Sequence, residues 1–202
     1  DLRQKIVKEA MRAGYRPNKA AQIMGQGRFD TATFLNSTNL ERSNLFHEIL
    51  VGMVKGLAAA HCHLHFAQLT DAELNGETAL PFFFREWNSD GFIINYTHEI
   101  PKTFQEEVDK CRIPHVWFNN KRPYDSVYPR DRLATQTATE ECLTRGHRRI
   151  VYVGNPTSTH YSASERLRGY RRAMEKAGQK PREFDWECGT QPEKLLEAFK
   201  SL

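Results

Sequence analysis

The chain has 202 residues, a net charge of +4, 39% hydrophobic residues and 27% charged residues, which suits a globular protein of one large or two small α/β domains. No apolar run reaches the ~18 residues of a transmembrane helix. The four cysteines (Cys62, Cys111, Cys142, Cys188) are scattered without CxxC spacing, so a reduced, cytosolic setting is the simpler reading.

The charge is uneven. Residues 1–30 carry seven basic and three acidic side chains, which is the whole net charge, and the remainder balances. A basic end on a neutral body fits a nucleic-acid contact at that end. In this end, Leu2, Ile6, Ala10 and Ala13 recur between charges, so residues 2–14 are expected to form one amphipathic helix stopped by Gly14. Residues 15–28 follow as Tyr-Arg-Pro-Asn-Lys-Ala-Ala-Gln-Ile-Met-Gly-Gln-Gly-Arg. Pro17 suits the first turn of a helix, residues 18–24 contain no breaker, and Gly25 and Gly27 are expected to end it. So short a helix is marginal alone in water. It needs a second chain, a nucleic acid, or both.

From residue 31 the pattern alternates. Strands are expected at 31–37, 61–68, 91–96, 115–118 and 149–153, with one more near Trp186. Helices are expected at 43–60, 77–88 (with Leu80, Phe84 and Trp87), 101–112, 132–145, 162–177 and 193–201. Strict alternation calls for βαβ units and parallel sheets covered on both faces, with ligands outside the carboxyl ends of the strands.

The Tyr-Arg-Pro-Asn-x-x-Ala-x-x-Met segment followed by Gly-Arg resembles the hinge of LacI/GalR-type (lactose-repressor-like) transcriptional regulators. Thr-Arg-Gly-His-Arg-Arg-Ile (144–150) and Ser-Glu-Arg-Leu-Arg-Gly-Tyr-Arg-Arg-Ala-Met (164–174) are similar to later signatures of that family. The resemblance covers residues 1 to about 180. It implies an α/β fold with a periplasmic-binding-protein-like core of parallel, doubly wound subdomains, preceded by the last helix of a helix-turn-helix domain and a hinge helix. The expected division is 1–14 for the end of the helix-turn-helix domain, 15–28 for the hinge and linker, 29–130 for the N-terminal ligand-binding subdomain and 131–202 for part of the C-terminal one. It also implies that the natural protein is longer at both ends.

The implied function is a cytoplasmic, homodimeric regulator whose affinity for operator DNA is controlled by a small-molecule effector: a sugar, a sugar derivative or another small metabolite. The implied DNA-binding residues are Tyr15, Asn18, Lys19, Ala21 and Met24. Met24 stands where the family presses an apolar side chain into the minor groove, a wedge that works by partly unstacking a base step. The implied effector-binding residues are Leu45, Phe46, Asn119, His160, Ser162 and Arg166. Arg166 is the best anchor, because a planar five-donor group suits a sugar hydroxyl or a carboxylate; the bland alternative pairs it with Glu165 or a neighbouring acid on the surface. Leu45 and Phe46, at the start of the first core helix, could stack on a ligand ring or simply pack. Sugar binders of the family usually carry Asp-Asn where this chain has Arg130-Asp131.

His61, His63 and His65 alternate along one strand, but residues two apart lie about 6.6 Å from each other. A partly exposed edge strand is favoured over a metal site. No catalytic set, cofactor motif or phosphate loop stands out, so an enzyme is not expected. The remaining alternative is a solute-binding protein of the same core fold without DNA binding, which would have no use for a hinge or a basic N-terminal segment.

Overall fold

The computed structural model describes residues 1–16, 18–39, 42–43, 45–77, 88–97, 99–110, 112, 114–155, 158–186 and 197. The expected helices at 77–88 and 193–201 lie almost wholly outside them.

Helix α1 (Leu2–Arg12) opens at Asp1, whose side chain accepts the Arg3 N–H at 3.2 Å, and the chain turns away at Gly14 with φ +83°. None of its residues is buried; Leu2, Ile6 and Met11 face solvent. Helix α2 (Lys19–Gln26) runs through Gly25 and stops at Gly27. The left-handed φ of +64° at Gly27, with its N–H donating to the Ile23 carbonyl at 2.8 Å, ends the helix there. Gly25 keeps a helical backbone and ends nothing, contrary to expectation.

The larger sheet has five parallel strands in the order β2-β1-β3-β4-β5: β1 (Thr31–Ser37), β2 (His63–Leu69), β3 (Gly91–Asn95), β4 (His115–Phe118) and β5 (Ser126–Val127). Strands β1 and β3 are central, and their apolar runs are the buried ones, as a sheet covered on both faces requires. Leu35, Leu69, Phe92, Ile94, Tyr96 and Trp117 form its core with Phe104 and Val108. Those last two lie one turn apart on the inward face of α5 (Lys102–Lys110). Two short elements were not foreseen: β5, and α4 (Asp71–Leu74), which a reciprocal Thr70–Glu73 capping box starts.

Helix α3 (His47–Ala59) starts four residues later than the periodicity implies. Arg42 and Ser43 are held in other bonds. Ser43 Oγ accepts the Ser37 N–H at 2.8 Å and donates to the Asn95 carbonyl, and the Arg42 carbonyl accepts the Thr97 N–H at 3.1 Å. Leu45 and Phe46 therefore precede the helix, with Phe46 extended at φ −79°, ψ 141°. His61 is likewise not in a strand: it sits in the turn after α3 with φ +57°. His63 and His65 are exposed on the edge strand β2, and no group of three metal-ligating side chains occurs among the described residues.

The second unit pairs β6 (Val151–Gly154) in parallel with β7 (Arg182–Asp185), and α6 (Asp131–Thr144) packs along α7 (Tyr161–Lys176). The close approach of the two helices requires glycine at 169. A Cβ there would lie 2.2 Å from the Arg132 carbonyl oxygen. Tyr170 is buried below it; its hydroxyl donates toward the Ile150 carbonyl at 2.8 Å and accepts the Arg182 N–H at 2.8 Å, tying α7 to both strands.

Candidate functional site

The carboxyl ends of the parallel strands are the place to look for a ligand. There β1 and β3 end in a buried polar set. Asn95 Nδ2 donates to Asn36 Oδ1 at 2.8 Å, and the Ser37 and Asn95 main chains are held by Ser43. The Tyr96 hydroxyl reaches the Asn36 and Leu69 carbonyls, and burial pushes its pKa well above the usual tyrosine range. Strand β4 ends at Asn119, whose left-handed φ of +53° turns the chain toward the second unit.

At that turn the two units meet. His160 is the N-cap of α7. One ring nitrogen, Nδ1, lies 2.6 Å from Ser162 Oγ, and Nε2 lies 3.1 Å from the Asn119 carbonyl oxygen. That carbonyl can only accept, so Nε2 carries a proton and a neutral ring leaves Nδ1 to accept from Ser162. The Tyr161 hydroxyl reaches Asn119 Oδ1 at 3.5 Å, and Lys121 Nζ reaches Glu165 Oε1 at 3.3 Å. Burial alone would raise the Glu165 pKa, but the bonds and charges of Lys121 and Arg168 outweigh it and hold the carboxyl below its ordinary value.

Arg166, one helical turn beyond Ser162, places Nε 2.7 Å from Asp131 Oδ1. The Asp131 side chain is 5% exposed and that of Arg166 54% exposed, so the guanidinium keeps its other nitrogens toward solvent while its charge is met at the start of α6. The same carboxylate acts on Tyr161: burial and then the nearby Asp131 charge push the Tyr161 pKa far above its usual range.

Four of the six expected effector residues (Asn119, His160, Ser162 and Arg166) are thus joined through α7. Leu45 and Phe46 lie on the loop that ends in α3, Leu45 half-buried and Phe46 exposed. Asp131, Tyr161 and Lys121 were not singled out from the sequence, and Glu165 only as an alternative partner of Arg166, a place that Asp131 takes instead. Of these, Asp131 left a signal: an acid at the head of a helix, in place of the family's usual pair.

At the other end, Tyr15, Asn18, Ala21 and Met24 are all exposed, Met24 at 89%, and Lys19 is the first residue of α2. The residue expected to act as an apolar wedge makes no packing against the core.

A five-stranded parallel sheet and a second parallel unit, meeting at strand ends that carry polar side chains, define a periplasmic-binding-protein-like core. Residues 139–201 match the family model of the periplasmic binding protein-like domain. No curated protein sequence matches the chain. Solved structures do. A regulatory protein of the LacI family from Chloroflexus aggregans superposes with TM-score 0.61 at 21% identity over 78% of this chain and 58% of that one. The Lac repressor bound to ONPG in its repressed state gives 0.66 at 18% identity over 98% and 61%. The transcriptional regulator CelR in complex with cellobiose gives 0.59 at 20% identity over 91% and 57%. The chain therefore has the fold of the LacI-family regulator core and spans about three fifths of the length of these structures.

Proposed function

We propose that this chain belongs to a LacI/GalR-type transcriptional regulator that binds operator DNA through its N-terminal segment, as a homodimer in the cytoplasm, under the control of a small molecule held near Asn119, His160, Ser162 and Arg166. The observation that carries the reading is α2: a short helix ahead of a periplasmic-binding-protein-like core, with Met24 89% exposed and basic residues on both sides. A free solute-binding protein of the same fold has no use for it. An exposed apolar wedge beside positive charge suits the minor groove, where unstacking a step offsets its cost by the contacts a bent duplex allows.

Pairing of two copies is supported by α3, whose sequence His-Glu-Ile-Leu-Val-Gly-Met-Val-Lys-Gly-Leu-Ala-Ala is largely apolar yet has no buried residue; Val54 on it and Phe66 on neighbouring β2 are exposed. Control by a small molecule is supported by the polar set between the two units and by relatives seen with cellobiose and ONPG. No helix among the described residues is long and apolar enough to cross a membrane, and no role as an enzyme is proposed.

The test uses the intact protein. Operator fragments selected from random duplexes should bind with a defined sequence and a two-fold symmetric footprint, and one compound from a panel of sugars, sugar acids and other small metabolites should both raise the melting temperature and alter operator affinity. Ligand binding with no sequence-selective DNA binding would move the protein to the solute-binding class.

A further inference from the structure

Strand β2 is the outermost strand on its side of the larger sheet and pairs along its whole length with β1. Thr31 stands opposite His63, and Thr33 opposite His65. Successive side chains on a strand point to opposite faces. Phe66 stacks on Phe34 at 5.7 Å, which fixes one face of β2. His63 and His65 share the other face, one pleat apart, and both are exposed.

Neither imidazole makes a hydrogen bond, ion pair or ring contact among the described residues. Other histidines do: the His115 ring meets Trp117 at 6.3 Å, and His160 is bonded through both ring nitrogens. His61 does not extend the row, since it lies in the turn before the strand with φ +57°. That removes the arrangement in which one ion takes all three histidines, and it leaves a pair.

Two imidazoles suffice for a chelate. Same-face neighbours on a strand lie about 6.6 Å apart at their α-carbons. Two nitrogens bound to one ion at about 2.0–2.1 Å lie about 3 Å from each other. Each histidine turns about two side-chain bonds, so two exposed rings can lean together by that amount. The backbone is already ordered by its pairing with β1, so binding an ion orders only the two side chains. Imidazole suits copper, nickel and zinc, whereas magnesium and calcium take oxygen ligands. Among the divalent ions, copper(II) binds a given nitrogen site most strongly. We propose that His63 and His65 form a two-histidine chelate for one divalent transition-metal ion, with copper(II) held best and water completing the shell. The pair stands at the amino end of β2, whereas the candidate effector residues gather beyond the carboxyl ends of the strands. The inference does not rest on the regulatory reading, and its failure leaves the operator experiment untouched.

Copper(II) is the probe. The intact protein, stripped with a chelator and returned to a non-coordinating buffer at neutral pH, is titrated calorimetrically. A saturable site should appear, with zinc(II) about tenfold weaker or more and magnesium(II) without measurable binding. His63→Ala and His65→Ala should each weaken copper(II) binding by about tenfold or more, as the chelate falls to a single nitrogen ligand. His61→Ala and His147→Ala, at exposed histidines off the strand, should leave it unchanged. Pulsed electron paramagnetic resonance of the copper-loaded wild type needs no variant: the ion should couple to the remote nitrogens of two imidazoles. Coupling to a single imidazole overturns the proposal. So does absence of saturable binding, a loss in His61→Ala as large as in His63→Ala, or undiminished binding in the double variant His63→Ala/His65→Ala, which would mean an adventitious ion only.

Discussion

Arg166 Nε lies 2.7 Å from Asp131 Oδ1, across 35 residues of sequence, and this contact joins the first turn of α6 to the second turn of α7. Asp131 is buried and Arg166 half exposed, so the pair aims the guanidinium while leaving it open to a ligand.

Replacing Arg166 should therefore do two things. Arg166→Ala should abolish the response to the effector while operator binding persists, because the two sites lie on different elements. It should also cost about 1–2 kcal/mol of stability by stranding a buried carboxylate, less than for a fully buried pair because Arg166 is half exposed. Operator binding with and without effector, followed by urea titration, checks both. An unchanged effector response removes Arg166 from the site.

Met24→Gly should weaken specific operator binding by a few kcal/mol, since the apolar wedge is gone, and leave effector affinity nearly unchanged. Equilibrium binding to operator and to a scrambled duplex separates specific loss from a general electrostatic one. Equal operator affinity in the variant would show that Met24 does not enter the groove.

Gly169→Ala should destabilise the second unit by about 1–3 kcal/mol, the usual cost of overpacking. The added Cβ would fall 2.2 Å from the Arg132 carbonyl oxygen, and backbone cannot yield as a flexible side chain can. Thermal melting checks this; an unchanged midpoint would mean that α6 and α7 do not pack this closely.

Tyr170→Phe should cost about 1–2 kcal/mol, because the hydroxyl serves the Ile150 carbonyl and the Arg182 N–H, and its loss leaves both without that partner. The ring and its packing against Tyr152 at 5.6 Å remain, so the urea slope should not change while the midpoint falls.

The Arg171–Glu183 pair makes stability depend on pH. Two bonds of 2.7 Å join them, and the hydrogen bonding and charge of Arg171 hold the Glu183 carboxyl below its ordinary pKa of 4.5. A depressed folded-state pKa means that the contribution is fully present above pH 4.5 and is lost as pH falls through the folded value. Glu183→Gln should flatten the stability profile in that acid window and lower stability at neutral pH. A mutant profile parallel to wild type from pH 7 down to 3 would exclude the linkage.

Strands β1 (Thr31–Ser37) and β4 (His115–Phe118) could be located from hydrophobic runs bounded by turn residues, and α7 from the line of Leu167, Tyr170 and Met174. Such signals are local: a side chain's period repeats within one element and reports which face that element buries. The start of α3 escaped this logic because Ser43 and Arg42 are claimed by Ser37, Asn95 and Thr97, partners distant in sequence. Helix α4 and β5 were missed because two to four residues carry too little periodicity. The resemblance to the family marked Arg166, Ser162 and His160 as candidate ligand contacts. Which group each would meet was decided only by folding. Asp131 reaches Arg166 because Gly169 lets α6 and α7 close together, and Asn119 reaches His160 because a left-handed residue ends β4. A hydrogen bond depends on distance and angle between groups that the chain brings together from 35 or 41 residues apart, and nothing in the local pattern encodes that meeting.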